Sequence, residues 1–174
     1  MKSILWVGIA AALFGLTTGC GSSSKERRSV RSSGKGPTTS SKAAASAKPV
    51  IAALLEQHTA EVTTVAESIN QMNDRASAGK AADQFKKSAE TIRELTAKVK
   101  AQGKITKEEN KQLNKEINDI ADAGAKYSRA LKHYKEFVQQ GKLPGETQRA
   151  LELGLLEFGT AEQEWSNAVR AAAP

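Results

Sequence analysis

Cys20 is the only cysteine in the 174-residue chain, and its thiol is the most distinctive reactive group in the sequence. A single cysteine cannot form an intrachain disulfide, and residues 49–174 have no cysteine for thiol or redox catalysis. Cys20 ends the stretch LTTGC, whose leucine closes a thirteen-residue apolar run from Ile4 to Leu16. With Lys2 before it, this run fits a signal peptide and is shorter than the ~20 residues that cross a bilayer.

The end of this segment resembles the lipobox of bacterial lipoproteins, in which an apolar residue and two small residues precede a cysteine. Thr18 and Gly19 occupy the small positions, and Thr17 stands where that family usually has leucine. In that family the thiol receives a diacylglyceryl group, the chain is cut before the cysteine, and the new amine is acylated. The resemblance implies a signal peptide over 1–19, cleavage between Gly19 and Cys20, and lipidation of Cys20.

The alternative is an ordinary secretory signal peptide that is cut elsewhere. No A-x-A site lies near residue 20, and AAASA at residues 43–47 is too far downstream. A free thiol in an exported protein would also invite pairing between molecules. In the lipoprotein family an aspartate after the cysteine often retains the protein in the inner membrane. Gly21 therefore favours a lipid anchor in the outer membrane, facing the periplasm.

Residues 20–48 are expected to be a disordered basic tether that carries the lipidated cysteine. Ser, Thr, Gly and Lys dominate the segment, and Val30 is its only large apolar residue, so it cannot bury enough surface to offset its ordering entropy. Residues 21–48 have seven basic residues and one acidic residue, whereas residues 49–174 have eighteen of each. The expected partners are an anionic lipid surface or a cell-wall polymer, and not nucleic acid. The alternative is that the charge of this segment serves only solvation and spacing. The proposed basic patch consists of Lys25, Arg27, Arg28, Arg31 and Lys35.

The two histidines, His58 and His133, are the remaining candidates for site chemistry. A di-iron bundle needs Glu-x-x-His on two helices, but Glu56 is two residues before His58 and Ala130 is three before His133. The sequence also lacks a P-loop, a dinucleotide fingerprint and a Gly-x-Ser-x-Gly motif. We therefore expect no catalytic residue, no metal site and no cofactor. His58 is expected in the core, bonded to Tyr127 or Tyr134.

Apolar residues recur every three or four positions from residue 51 onward, which predicts an all-α domain over 49–174. Glycine and proline interruptions divide it into helices at about 49–74, 78–102, 107–140 and 145–172. Short connections favour an up-down antiparallel four-helix bundle. The alternative is that the first two helices are continuous, which gives a three-helix, coiled-coil-like bundle.

Helix ends and faces are predicted in the same way. Ser77 is expected to cap the second helix. Thr106 and Glu109 are expected to form a capping box at the start of the third helix. Gly124, Gly154 and Gly159 are interpreted as points of close helix approach, and the alternative is that they leave room for a ligand. The core face of the third helix is predicted as Leu113, Ile117, Ile120, Gly124, Tyr127, Leu131, Tyr134 and Val138. The fourth helix, expected to be the most buried, has the broadest apolar face, namely Leu151, Leu153, Leu155, Leu156, Phe158, Trp165 and Val169.

These features predict a non-enzymatic, membrane-anchored lipoprotein of the bacterial envelope. Its helical bundle would bind another protein or a cell-wall polymer. The alternative is a periplasmic helical bundle that binds a small ligand or a cofactor. An absorption spectrum and metal analysis of the protein from its native host would discriminate between the two.

Overall fold

The computed structural model describes residues 49–141 and 143–174, and these residues form helices without any strand. The helices are α1 (Val50–Asn70), α2 (Arg75–Gln102), α3 (Lys107–Lys111), α4 (Asn114–Gln139) and α5 (Gly145–Ala172). The prediction of an all-α domain is confirmed. The alternative with continuous first and second helices is wrong, because the chain leaves the helix between Asn70 and Arg75.

A reciprocal capping box separates α1 from α2. The Ser77 N–H donates to Oδ1 of Asp74 at 2.8 Å, and the Asp74 N–H donates to Oγ of Ser77 at 3.1 Å. Asp74 is thus the N-cap and Ser77 lies three residues inside α2, so the predicted cap was misplaced. The bond from the Ser77 N–H also lowers the pKa of the Asp74 carboxyl, because it stabilises the carboxylate.

The predicted third helix is interrupted after one turn. Its capping box is confirmed, since the Glu109 N–H donates to Oγ1 of Thr106 at 3.1 Å and Oε2 of Glu109 accepts from the Thr106 N–H at 2.8 Å. The helix then tightens, because the Gln112 N–H reaches back only to the Glu109 carbonyl, at 2.9 Å. This turn ends α3 at Lys111 and brings Leu113 into the core before α4 begins.

Three helix pairs share extensive interfaces, in decreasing order α2 with α5, α1 with α4, and α1 with α2. Gly154 lies against Ala82, near the start of both helices, and the Ile105 N–H just past α2 donates to the last carbonyl of α5, that of Ala172. Hence α2 and α5 run parallel. By contrast, α1 and α2 run antiparallel through their short connection, and Oγ of Ser88 donates to Glu61 at 2.7 Å between them.

The pairing of α1 with α4 is also parallel. Lys115 lies 4.0 Å from Glu56 near the start of both helices, and Nε2 of His133 donates to the Met72 carbonyl at 3.2 Å, just past the end of α1. The two largest interfaces therefore join helices that are parallel and not consecutive. The sequence predicted that consecutive helices would pack as antiparallel neighbours. Among these three interfaces, only the one between α1 and α2 is of that kind.

The core face of α4 is rotated relative to the prediction. Glu116, Ala123, Ala130 and Phe137 are buried, together with the predicted Tyr127 and Leu131. Five predicted core residues of this helix are only half-buried, namely Ile117, Ile120, Gly124, Tyr134 and Val138. The physical reason is the extensive interface with α1, which buries a different side of α4 from the one predicted.

Helix α5 has the predicted bounds but a narrower core face than predicted. Leu151, Phe158 and Trp165 are buried, whereas Leu153 is 46% and Leu156 50% exposed. Close approach is confirmed at Gly154, where a Cβ would lie 2.9 Å from the carbonyl oxygen of Ala82. The prediction of close approach is wrong at Gly159, where a Cβ would meet no atom of a neighbouring helix within 4 Å.

Candidate functional site

A group of buried polar and aromatic side chains lies where α1 meets α5. His58 is 3% exposed and stacks on Trp165, with ring centroids 4.5 Å apart and an interplanar angle of 7°. Its Nε2 lies 2.9 Å from Oε1 of Glu162, three residues before Trp165 on α5. Residues 58, 162 and 165 meet because 162 and 165 are one turn apart on the same helix.

The hydrogen bond fixes which nitrogen of His58 carries a proton. The carboxylate oxygen accepts in this contact, so Nε2 of His58 donates to Glu162. The other nitrogen, Nδ1, is buried without a hydrogen-bond partner among the described residues. The expected bond from His58 to Tyr127 or Tyr134 is wrong, because Glu162 occupies that role.

Tyr127 and Tyr134 extend this cluster along α4. Tyr127 contacts Phe158 of α5, with ring centroids 5.4 Å apart. Burial, followed by the negative charge of Glu162, raises the pKa of the Tyr127 phenol. Burial and then the charge of Glu152 raise the pKa of Tyr134 to about 12. Both phenols are therefore neutral at physiological pH and act as packing groups.

This cluster serves to join helices. His58, Trp165 and Tyr127 are each 4% exposed or less, so the cluster is a buried contact between helices. The Glu162 bond and the indole stack tie α1 to α5, which share no extensive interface. His133 has a similar role at the other end of α1, where its bond to the Met72 carbonyl holds the connection to α2.

The described surface has shallow depressions away from this cluster. One lies between the start of α2 and α5 and is lined by Asp74, Lys80 and Thr147. Another lies between α1 and α4, where Lys115 is 3.5 Å from Asp119 and 4.0 Å from Glu56. The Lys115 side chain is 74% exposed, so these ion pairs contribute little binding energy or stability.

Residues 49–141 and 143–174 contain no group of three or more His, Cys, Asp or Glu side chains that could hold a metal ion. In the same part of the chain, each helix is too short or too polar to cross a membrane. The residues predicted for lipidation and cleavage, Cys20 and Gly19, lie outside the described residues, as does the predicted basic patch of Lys25, Arg27, Arg28, Arg31 and Lys35.

The exposed leucines of α5 form a surface feature that the sequence analysis missed. Leu153 and Leu156 are one turn apart on the side of α5 opposite Phe158 and Trp165. The sequence signal was present in their spacing, because neither residue follows the three- or four-residue steps from Leu151 to Phe158 and Trp165. Arg149 and Glu157 flank Leu153 on the same side.

Comparison with known proteins gave no assignment: no protein-family model, curated protein or solved structure matches the chain. Function is therefore inferred from the residues and their geometry.

Proposed function

We propose that this protein is a bacterial envelope lipoprotein, anchored in a membrane through acylated Cys20, which presents a helical bundle for non-enzymatic binding. The observation that carries the proposal is the position of the only cysteine, directly after two threonines, a glycine and a thirteen-residue apolar run. Acylation uses this thiol as an anchor. Each buried CH₂ contributes ~0.8 kcal/mol, so that several acyl chains hold far better than one.

The basic segment between the anchor and the bundle is the second part of the proposal. Residues 21–48 have a net charge of +6, with seven basic residues and one acidic residue. Basic residues close to an anionic membrane contribute ~1 kcal/mol each, within the screening length of the solution. The segment would therefore hold the chain close to anionic lipid headgroups or a cell-wall polymer.

In this proposal the four long helices form a single up-and-down bundle that displays a surface. Support comes from the interior, where buried apolar side chains and the His58–Glu162–Trp165 cluster join helices. Support also comes from the exterior, since the bundle residues have balanced charge and α5 exposes Leu153 and Leu156. Such a surface can bind another macromolecule without any catalytic residue.

The test is metabolic labelling with palmitate in a bacterium that processes lipoproteins. The wild-type protein should incorporate the label and sediment with membranes, whereas Cys20→Ser should do neither. Thr18→Ser is the matched control, because it keeps a small residue before the cysteine and should still be labelled. Palmitate in the Cys20→Ser protein would sink the proposal.

A further inference from the structure

The outward side of α5 has a short apolar ridge with a charge of opposite sign at each end. Arg149, Leu153 and Glu157 are four residues apart, so they lie in one row along the helix. Leu156 lies beside this row, and both leucines are about half exposed, at 46% and 50%. Arg149 and Glu157 form no ion pair within the described residues.

We propose that this ridge binds the same ridge of a second copy of the chain. The two α5 helices would run antiparallel about a two-fold axis at Leu153. Residues equally far before and after Leu153 then face each other, so Arg149 of each copy meets Glu157 of the other. Leu156 would cover Ala150 of the other copy, a small residue that is half-buried in the single chain.

Charge complementarity favours a second copy over other occupants. A row with a positive end and a negative end is complementary to itself when reversed, which is the requirement for a two-fold interface. A uniformly basic partner would meet a like charge at Arg149. An anionic lipid surface would meet a like charge at Glu157. The reversed copy pairs both charges and covers both leucines.

The ridge alone is too small for a stable dimer in dilute solution. Specific interfaces bury ~800 Å² on each partner, far more than two half-exposed leucines and two charged side chains supply. Confinement to a membrane raises the effective concentration of copies and favours weak contacts. This dependence on confinement rests on the proposed anchoring through Cys20, whereas the ridge contact itself does not.

The experiment places a benzophenone amino acid at position 156 of the full-length protein in membranes and measures the photo-crosslinked homodimer. Arg149→Glu alone or Glu157→Arg alone puts like charges at both crossings and should lower the yield several-fold. The double variant Arg149→Glu, Glu157→Arg should restore it. Within one chain the two positions are about 12 Å apart along the helix axis, so restoration reports a contact between copies.

The control places the benzophenone at Ala97, an exposed residue of α2, and should give no homodimer. Unchanged thermal melting of the charge variants shows that folding is intact. An unaltered crosslinking yield in the Cys20→Ser protein would overturn the dependence on membrane anchoring, but it would leave the proposed contact between the two ridges standing. A yield from position 156 that ignores the charge reversals, or a crosslink to a different protein instead, would overturn the ridge contact.

Discussion

Leu151 and Leu156 show how the position of a residue on one helix decides its energetic role. Leu151 is fully buried, whereas Leu156 is 50% exposed on the opposite side of α5. We expect Leu151→Ala to lower the free energy of unfolding by ~2–5 kcal/mol, because it leaves a cavity in the core. Leu156→Ala is the matched control and should change it by about 0.5 kcal/mol or less. Urea unfolding measures both, and equal losses would show that the core is misplaced.

The two tyrosines allow a direct test of burial around the His58–Glu162–Trp165 cluster. The chain has only two, Tyr127 and Tyr134, and burial raises the pKa of both. Absorbance at the tyrosinate band should therefore stay low as the pH passes 10, and rise only as the pH approaches about 12 for Tyr134. In the unfolded chain both phenols should titrate near the ordinary value of about 10.

The raised values also fix the sign of the alkaline stability change. Because the folded state disfavours the phenolate, the stability supplied by these groups is fully present below the unfolded pKa. It is lost as the pH rises through the folded pKa, which for Tyr134 is about 12. Tyr134→Phe should remove the part of this alkaline loss of stability that comes from Tyr134. A folded protein whose tyrosines both ionise near pH 10 would contradict the described packing.

At the scale of the helix, Gly154 and Gly159 form a matched pair with opposite expected effects. A Cβ at residue 154 would lie 2.9 Å from the Ala82 carbonyl oxygen and 3.2 Å from Cβ of Phe85, so Gly154→Ala should force α2 and α5 apart. We expect a loss of ~1–3 kcal/mol from this overpacking.

Gly159 has no such neighbour within 4 Å of a Cβ. Gly159→Ala should therefore stabilise the protein by about 1 kcal/mol, the ordinary gain in helix propensity. Thermal melting of the two variants is the measurement. Stabilisation by Gly154→Ala would show that α2 and α5 do not approach each other there.

Helix bounds were predictable where local chemistry determines them. Pro144 and Gly145 place the start of α5, and Thr106 with Glu109 places the start of α3. The sequence also contained the Asp74–Ser77 pair, but either residue is a good N-cap, so α2 was expected to start too late. The turn at Gln112 carries no glycine or proline, and packing of Leu113 into the core determines it.

At the scale of the whole molecule, the pairing of helices was not predictable from apolar spacing. A row of apolar residues at every third or fourth position identifies the buried side of a helix, but it does not identify which other helix covers that side. The parallel interfaces of α1 with α4 and α2 with α5 depend on the path of the chain from residue 103 to residue 113. The same limit applied to the cluster, because His58 was predicted as buried while its partners Glu162 and Trp165 lie more than a hundred residues away.

The distribution of charge over the whole chain leads to a prediction about surface binding. Residues 21–48 carry a net charge of +6 and residues 49–174 are neutral. A non-acylated chain of residues 21–174 should therefore bind anionic vesicles at low salt. Binding should fade towards ~0.15 M salt, where the screening length is ~8 Å. Vesicle co-sedimentation over a salt series measures this.

Glutamine at positions 27, 28 and 31 should remove much of that binding without changing the melting temperature, since Arg27, Arg28 and Arg31 precede the bundle. Residues 49–174 alone should not sediment with the vesicles. If the glutamine variant binds as well as its parent, the segment serves only as a spacer.

Anchoring through Cys20 is the central claim, and intact-mass spectrometry of the membrane-extracted protein tests it most directly. The predicted result is a mature chain of residues 20–174 whose first residue carries a diacylglyceryl group on sulfur and an acyl group on nitrogen. Fragmentation should place all added mass on Cys20. A mature chain that starts at any other residue, or that begins at Cys20 with a free thiol, would contradict the claim.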